Sequence, residues 1–309
     1  MARSRRRRKP GRPGPAGFLV VDKPAGWTSH DVVDAARGWF GNRRIGHLGT
    51  LDPQATGVLP LAVREATKLV SFFDGSRKSY VGTVCLGIET DTLDGEGRET
   101  ARFEGELPGE EAVRQALAGF LGEIEQVPPM YSAVKQGGVP LHRLARRGEV
   151  VHREPKKVHV HHLEATKYAS PDVEIGVDCS AGTYVRSLAA DLGTKLGCGA
   201  YLKALRRTRS GPFAESDART VEELDRAASE NRIEELLLSP AETLDLPVFR
   251  AAPAATRPIL QGADVSPGTQ LRVSPGDKVL VTDDGGRLLA LMELRADRRL
   301  WPLRVLAVE

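Results

Sequence analysis

The 309-residue sequence is poor in the residues from which disulfide-bonded and membrane proteins are built. Its three cysteines, Cys85, Cys179 and Cys198, are far apart and form no CxxC pair, which predicts small core residues in a reducing compartment. No apolar run approaches the roughly 20 residues that cross a bilayer, and the first residues contain no hydrophobic signal core. We therefore expect a cytoplasmic protein that does not enter the membrane.

Motifs for nucleotide or metal cofactors are also missing. The sequence contains no P-loop and no dinucleotide-binding glycine motif, so no nucleotide cofactor is expected. His159 and His161 share one face of a predicted strand, but no cysteine completes a ligand set, so no metal is expected. Hydrophobic residues make up 40% of the chain, and its length suits either one large domain with a smaller one or two domains of middling size.

The net charge of +3 conceals an uneven distribution. Residues 1–12 hold seven of the 44 Lys and Arg residues and no acid, so the remaining chain has 37 basic against 41 acidic residues. Residues 1–16 are predicted to be a disordered basic tail, because like charges repel and Pro and Gly interrupt regular structure. Such a tail would either add salt-sensitive RNA affinity or be a dispensable extension.

Two local basic patches stand out from the mildly acidic remainder. Residues 128–163 and 200–214 are rich in Lys and Arg, whereas acids concentrate in residues 89–111 and 215–245. This asymmetry is typical of an RNA-binding protein whose acidic face turns away from phosphate. A solvated surface with no nucleic-acid role is the alternative at this stage.

The order of predicted strands and helices indicates an α+β fold. Strands and helices alternate without a regular βαβ repeat, which favours a largely antiparallel mixed sheet flanked by helices. Thr28 and Asp31 predict a capping box that opens an amphipathic helix. After Pro247 the pattern changes to short apolar runs separated by turns, which predicts a small β-rich module. Helices are expected over residues 64–73, 183–196 and 220–238, and the module's strands near 270–274, 278–282, 287–294 and 300–308.

The most informative segment is HLGTLDPQATGVLP, from His47 to Pro60. Gly49 and Gly57 remove side chains on either side of Asp52 and so permit a close approach. Pro53 disfavours helical geometry at Asp52. These residues predict a rigid loop that presents one carboxylate, either as an ordinary Asp-Pro turn or as a catalytic acid.

This segment resembles the signature of the bacterial tRNA pseudouridine-55 synthases, the TruB family. Four further blocks follow in the family's order, and together they span roughly residues 17–213. They are GFLVVDKPAGWTSHDVV from Gly17, KSYVGTVCLGIETDTLDGEG from Lys78, QVPPMYSAVKQGGVPLHRLARRG from Gln126, and CSAGTYVRSLAADLGTKLGCGAYLKALRRT from Cys179.

The resemblance implies a role for each matching residue. Asp52 corresponds to the catalytic acid, and Arg186 to the arginine whose planar fork pairs with it. Tyr80 corresponds to the tyrosine that stacks on the target base and accepts its C5 proton. By pattern alone, Arg186 would be read as exposed and the tyrosines as core aromatics. Other implied pocket residues are Tyr184, Leu205 on the apolar side, His47 beside the flipped-out nucleotide, and Lys23 in a structural or phosphate-facing role.

The resemblance also implies a division of the chain and a substrate. A catalytic domain is expected over residues 17–246, with an RNA-clamping insertion at 128–153, followed by a PUA-like RNA-binding domain at 247–309. The implied substrate is the T arm of tRNA, with Arg146 and Arg147 of the insertion binding its backbone. We expect a monomer that needs no cofactor, protein partner or guide RNA.

Three alternatives to this function differ in the residues they require. A non-catalytic RNA-binding or RNA-folding protein on the same scaffold would not need Asp52, Tyr80 and Arg186 together. A glycoside hydrolase would need two carboxylates at a set separation, and the motif offers one. A guide-RNA-dependent relative is also conceivable, but no segment of the sequence indicates it.

Overall fold

A computed structural model describes residues 14–132, 134–145, 147–149, 151–268 and 271–306. Most of the predicted tail and Arg146 therefore lie outside the described residues. The strands are β1 (Gly17–Lys23), β2 (Ile45–His47), β3 (Thr56–Val63), β4 (Lys78–Leu86), β5 (Ile88–Thr90), β6 (Glu99–Arg102), β7 (Gly122–Gln126), β8 (Lys135–Gln136), β9 (Val139–Pro140), β10 (Lys156–Ala169), β11 (Asp172–Cys179), β12 (Ala200–Ser210), β13 (Phe213–Ala214), β14 (Val248–Arg250), β15 (Lys278–Thr282), β16 (Leu288–Leu294) and β17 (Leu300–Val305).

Helices cover one face of the main sheet. Thr28 caps α1 with the predicted capping box, since its hydroxyl accepts from the Asp31 amide and Asp31 accepts from the Thr28 amide. The helices are α1 (Ser29–Phe40), α2 (Glu110–Ala118), α3 (Leu141–Ala145), α4 (Val185–Leu196), α5 (Val221–Ser229), α6 (Pro240–Leu244) and α7 (Pro253–Leu260), with 3-10 helices at Arg64–Phe73, Glu215–Asp217 and Ile233–Leu236.

The main sheet has the strand order β1-β3-β12-β4-β11-β10-β7, with β2 added to β3 and β13 to β12. Its pairs are antiparallel except β3 with β12. This arrangement confirms the predicted largely antiparallel α+β fold. The loop that carries Asp52 connects β2 to β3, so the parallel β3–β12 contact lies directly behind it.

Alternation along β4 and β12 sorts their side chains between the two faces of the sheet. Tyr80 and Val84 face the core that α1 and α4 cover, whereas Val81 points outward and is 40% exposed. Arg207 lies opposite Tyr80 in the β4–β12 register, on the inner face. The inner face therefore brings β4, β12 and α4 together beneath the Asp52 loop.

Residues 64–73 form the predicted helix, and its type is 3-10, with the buried Ala66 and Leu69 spaced by the three-residue period of that helix. Two other local predictions were wrong for identifiable reasons. Helix α5 ends at Ser229, since Asn231 adopts a left-handed φ of 56° that stops it. Residues 271–274 form no strand, because the edge of β17 pairs with Val265 instead.

The C-terminal module is a small sheet of order β14-β15-β16-β17, which fits the predicted PUA-like domain. One face has its own core around Met292. The other face contributes Leu280 and Leu291 to a cluster that includes Phe18 of the main sheet. Lys68 also donates to the carbonyls of the last described residues, Val305 at 3.0 Å and Leu306 at 2.6 Å. Shared burial therefore fixes the module against the larger domain.

Candidate active site

The loop between β2 and β3 is held on both sides of Asp52. The buried Ser29 hydroxyl hydrogen-bonds the Leu51 amide at 2.9 Å and the Leu51 carbonyl at 3.1 Å. The Pro53 carbonyl accepts from the Gly26 amide at 2.9 Å. Asp52 itself closes the turn, because its carbonyl accepts from Ala55 at 3.1 Å. These contacts confirm the predicted rigid, non-helical loop.

Glycine is required at two points of this loop. Gly57 has φ of 97°, and a Cβ there would lie 2.3 Å from the Arg207 carbonyl of β12. Gly49 has φ of 108°, and its Cβ would lie 3.0 Å from the Lys78 ammonium. Both positions combine a left-handed backbone with a close neighbour. The predicted close approach is made by the protein's own strands.

Lys23 lies beneath the loop, where it is fully buried. Its ammonium donates to the carbonyls of Pro24 at 2.9 Å, Trp27 at 2.6 Å and Pro53 at 2.8 Å. Burial lowers the pKa of Lys23 to about 8, although Asp52 opposes this shift. All three hydrogen bonds of the ammonium go to backbone carbonyls. The geometry therefore favours a structural role for Lys23 over a phosphate-facing one.

Arg186 connects Asp52 to a second carboxylate. One amino group lies 3.2 Å from an Asp52 oxygen, and the other lies 3.3 Å from an Asp94 oxygen. The first amino group also donates to the Tyr131 carbonyl at 2.6 Å. Arg186 is 4% exposed, which removes the interpretation as a surface arginine. The expected bidentate pair with Asp52 is wrong, because the fork is divided between two acids.

Asp94 is the site residue that the sequence did not indicate. It is 2% exposed and accepts from the Thr92 hydroxyl at 2.5 Å and the Glu96 amide at 3.1 Å. It belongs to the acidic stretch of residues 89–111 that was expected to face away from RNA. For Asp94 that expectation is wrong, because the turn folds inward onto Arg186. An acid-rich turn in sequence gives no signal that one of its members is buried.

The charge of Asp52 is set by opposing effects. Its side chain is 34% exposed. Burial raises its pKa, the Arg186 guanidinium opposes that shift, and the Asp94 carboxylate adds to it. The net direction is upward from the ordinary value of about 3.9. A carboxylate with a raised pKa and a nearby opening is a stronger base than an ordinary surface aspartate.

Tyr80 and Arg207 lie side by side below the loop. Tyr80 is 8% exposed, and burial raises its pKa to about 12. The positive charge of Arg207, which lies opposite Tyr80 in the β4–β12 register, opposes this shift. Arg207 is fully buried, so its assignment to a phosphate-facing basic patch is wrong. The tyrosine is therefore neutral at pH 7 but has a cation at its oxygen.

The remaining predicted pocket residues lie on the same side of the sheet. Tyr184 precedes α4, and the buried Gln126 side chain holds both its amide at 2.7 Å and its carbonyl at 3.0 Å. The Arg186 guanidinium lies 5.8 Å from the Tyr184 ring centre. Leu205 is partly buried against the core that includes Tyr80. The structure thus places both tyrosines within reach of the Asp52 charge, which adds to the effect of burial in raising the pKa of each, and Leu205 against the same core as Tyr80.

His47 lies at the end of β2, next to the loop. It is half-buried, and burial together with Arg207 lowers its pKa, so it is uncharged at pH 7. Its Nδ1 is buried and has no hydrogen-bond partner among the described residues. A buried polar atom without a partner is uncommon in folded proteins.

The two basic patches differ in what they present to solvent. In residues 128–153, Arg147 is 66% exposed and lies 3.9 Å from Glu149. In residues 200–214, Lys203 pairs with Asp172 at 2.6 Å, and Arg206 pairs with both Asp22 and Glu215. The second patch is thus largely neutralised within the protein. Nucleic-acid attraction is therefore expected mainly from the first patch and from the exposed Arg209 of the second.

No helix among the described residues is long and apolar enough to span a membrane. The rings of His159 and His161 stack with centres 4.4 Å apart on the outer strand β10. No group of three His, Cys, Asp or Glu in the described ranges is arranged to hold a metal ion.

Comparisons with known proteins identify the family. Family models described as TruB family pseudouridylate synthase (N terminal domain) and tRNA pseudouridylate synthase B C-terminal domain match residues 37–185 and 186–244. Proteins named tRNA pseudouridine synthase B are 42% identical in Syntrophotalea carbinolica, over 88% of this chain and 90% of that one, and 39% identical in Pseudomonas fluorescens, over 95% and 96%.

Solved structures match over nearly the whole chain. The crystal structure of a Cbf5-Nop10-Gar1 complex aligns with 28% identity and a TM-score of 0.67, over 94% of this chain and 85% of that chain. An H/ACA RNP bound to a substrate RNA containing 2'-deoxyuridine aligns with 26% identity and a TM-score of 0.65, with the same coverage. The fold is that of a pseudouridine synthase. More narrowly, the chain belongs to the TruB family of pseudouridylate synthases.

Proposed function

We propose that this protein is a tRNA pseudouridine synthase that isomerises the uridine at position 55 in the T loop. The observation that carries the proposal is the Asp52 carboxylate, fixed on a rigid loop and bonded to the buried Arg186. The relatives named tRNA pseudouridine synthase B support the substrate class. A protein that only bound RNA would have no need of a carboxylate with a raised pKa beside a buried arginine.

The reaction is an isomerisation and conserves every atom. The bond from ribose C1′ to uracil N1 breaks, a bond from C1′ to C5 forms, the C5 proton leaves and N1 gains a proton. Asp52 acts in its ionised form at the sugar–base junction, by attack on ribose C1′, by attack on uracil C6, or by removing a sugar proton. Arg186 favours the ionised form and fixes its direction, because its other amino group is anchored on Asp94.

Access to N1 and C5 requires that the uridine leave the stack of the T loop. Tyr80 supplies a flat face under the flipped base and a hydroxyl that accepts the C5 proton. Because its pKa lies near 12, Tyr80 enters the reaction as a neutral phenol. Its own proton passes to N1 of the detached uracil and its oxygen then accepts the C5 proton, so that Tyr80 ends as the neutral phenol again. Tyr184 and Leu205 line the opening, and His47 contacts the flipped nucleotide.

Binding of the T arm is assigned to the insertion at residues 128–153. Arg146 and Arg147 neutralise backbone phosphates, and the segment orders on the RNA. Its first part already reaches the site, because the Tyr131 carbonyl accepts from Arg186. The proposal also places the domain boundary at residue 246 and assigns RNA contact to the C-terminal module. It describes a cytoplasmic monomer that needs no guide RNA or protein partner.

The test uses tRNA tritiated at uracil C5 and measures tritium release by the wild-type protein and Asp52→Asn. We expect release by the wild type and none above background by Asp52→Asn. The matched control is Asp34→Asn, an exposed aspartate on α1, which should release tritium at the wild-type rate. No release by any of the three proteins, with tRNA binding intact, would favour the non-catalytic RNA-binding alternative.

A further inference from the structure

Arg207 is a buried cation whose partners are all neutral at pH 7. Its Nε donates to the Val58 carbonyl at 2.7 Å, and its amino groups donate to the carbonyls of Thr50 at 3.4 Å and Gly49 at 3.2 Å. Tyr80 lies opposite Arg207 in the β4–β12 register, and the charge of Arg207 acts on the pKa of the Tyr80 hydroxyl. Among the described residues, no Asp or Glu forms a salt bridge with this guanidinium.

A fully buried arginine without a carboxylate is costly to the fold, because its desolvation is not offset by a counter-ion. The neighbouring Arg206 on the same strand has carboxylate partners that compensate its charge. It faces the other side of the sheet and pairs with Asp22 and Glu215. An uncompensated positive charge of this kind stabilises any negative charge that develops beside it. The group placed to acquire such a charge is the Tyr80 oxygen.

We infer that Arg207 is a positioning residue for the isomerisation: it holds the Asp52 loop beside Tyr80 and stabilises the negative charge that the Tyr80 oxygen acquires when it gives up its own proton, before that oxygen accepts the C5 proton. The inference rests on the proposed function. It adds a residue that touches neither base nor sugar and acts through Tyr80. The same guanidinium links the nucleophile loop to the proton acceptor, because Gly49 and Thr50 precede Asp52 in that loop.

The geometry explains why lysine would be a poor substitute. A guanidinium reaches Val58, the loop carbonyls and the phenol at once, through five donors in a fixed plane. An ammonium keeps the charge but has three donors on a single atom. Arg207→Lys is therefore expected to fold and to retain part of the charge stabilisation, whereas Arg207→Gln loses it.

The experiment compares Arg207→Lys, Arg207→Gln and the control Arg206→Gln in single-turnover reactions on full tRNA. Each is measured with uridine carrying hydrogen or deuterium at C5, and each Arg207 variant is also combined with Tyr80→Phe. We expect the rate to fall about 10-fold in Arg207→Lys and about 100-fold or more in Arg207→Gln. The C5 isotope effect should rise in both, because proton removal becomes rate-limiting. Arg206→Gln should leave the isotope effect at the wild-type value.

Coupling to Tyr80 distinguishes this role from support of the fold. If Arg207 acts through the phenol, its substitution costs much less in the Tyr80→Phe background than in the wild type. Additive losses with an unchanged isotope effect would overturn the inference. If Arg207→Gln does not fold, Arg207→Lys alone decides between these outcomes. Absence of pseudouridine with the wild-type protein would instead contradict the proposed function.

Discussion

The loop that carries Asp52 and the insertion at residues 128–153 differ in how firmly buried side chains hold them. The loop rests on the buried side chains of Ser29, Lys23 and Arg207, each bonded to its backbone. The insertion has short elements and an exposed Arg147. Bond rearrangement depends on sub-ångström placement, whereas a flexible basic segment can adapt to the RNA that it contacts. The difference predicts that damage to the loop alters rate and stability, and damage to the insertion alters binding.

Arg186→Lys is expected to produce the largest effect. A lysine cannot contact Asp52, Asp94 and the Tyr131 carbonyl together, so the turnover number should fall by about 10²- to 10³-fold while tRNA affinity changes little. Steady-state kinetics and a binding titration measure the two quantities. Arg102→Lys, an exposed arginine that pairs with Glu99, is the control. A loss confined to affinity would break the contrast between loop and insertion.

Gly57→Ala tests how closely the loop is packed against β12. An added Cβ would meet the Arg207 carbonyl at 2.3 Å on a left-handed backbone, so the free energy of unfolding should fall by about 2–4 kcal/mol. Urea unfolding measures it. Gly38→Ala is the control, since a Cβ at this helical position meets no atom within 4 Å and should stabilise by up to about 1 kcal/mol. Equal effects of the two substitutions would contradict the packing described.

Replacing Arg146 and Arg147 by alanine sharpens the other side of the comparison. We expect tRNA affinity to fall about 10-fold at low salt, and the slope of log affinity against log salt to decrease by about 2. The single-turnover rate at saturating protein should not change. Arg232→Ala, an exposed arginine that pairs with Glu230, is the control. Unchanged affinity across the salt titration would refute the assignment of this segment.

Asp94→Asn is expected to have the smallest effect, a shift of the pH profile whose direction the structure predicts. The Asp94 charge raises the pKa of Asp52, so its removal lowers that pKa. Because the ionised carboxylate is the active form, the acidic limb of the pH profile of kcat/KM should move to lower pH. Arg186→Gln should move the same limb to higher pH, since Arg186 lowers the pKa of Asp52. If Asp94→Asn and Arg186→Gln moved this acidic limb in the same direction, the result would contradict the charge balance of the site.

Much of the local structure was predictable from short-range sequence patterns. The Thr28–Asp31 capping box and the non-helical Asp-Pro loop follow from nearest-neighbour chemistry, and the structure contains both. The helix at residues 64–73 was predicted with its observed bounds, but its 3-10 type was not, because an apolar spacing of three fits both helix types over a short stretch.

The family resemblance predicted that Arg186 pairs with Asp52. The site residues that depend on burial were not predicted. Arg186 was expected beside Asp52, but Asp94 lies in an acid-rich turn and Arg207 in a basic run, and both sequences are typical of surfaces. Which member of such a run is buried depends on strand register and bulges, as in β12, where register shifts direct Arg206 outward and Arg207 inward. That information is tertiary and cannot be read from residue types.

The central claim is that Asp52 isomerises one uridine in the T loop. The most direct measurement maps pseudouridine by base-resolved chemical probing of a full-length tRNA transcript after incubation with the wild-type protein or Asp52→Asn. The account predicts pseudouridine at position 55 and at no other uridine with the wild type, and an unmodified transcript with Asp52→Asn. Modification at position 55 by both proteins, or at a different position by the wild type, would contradict it.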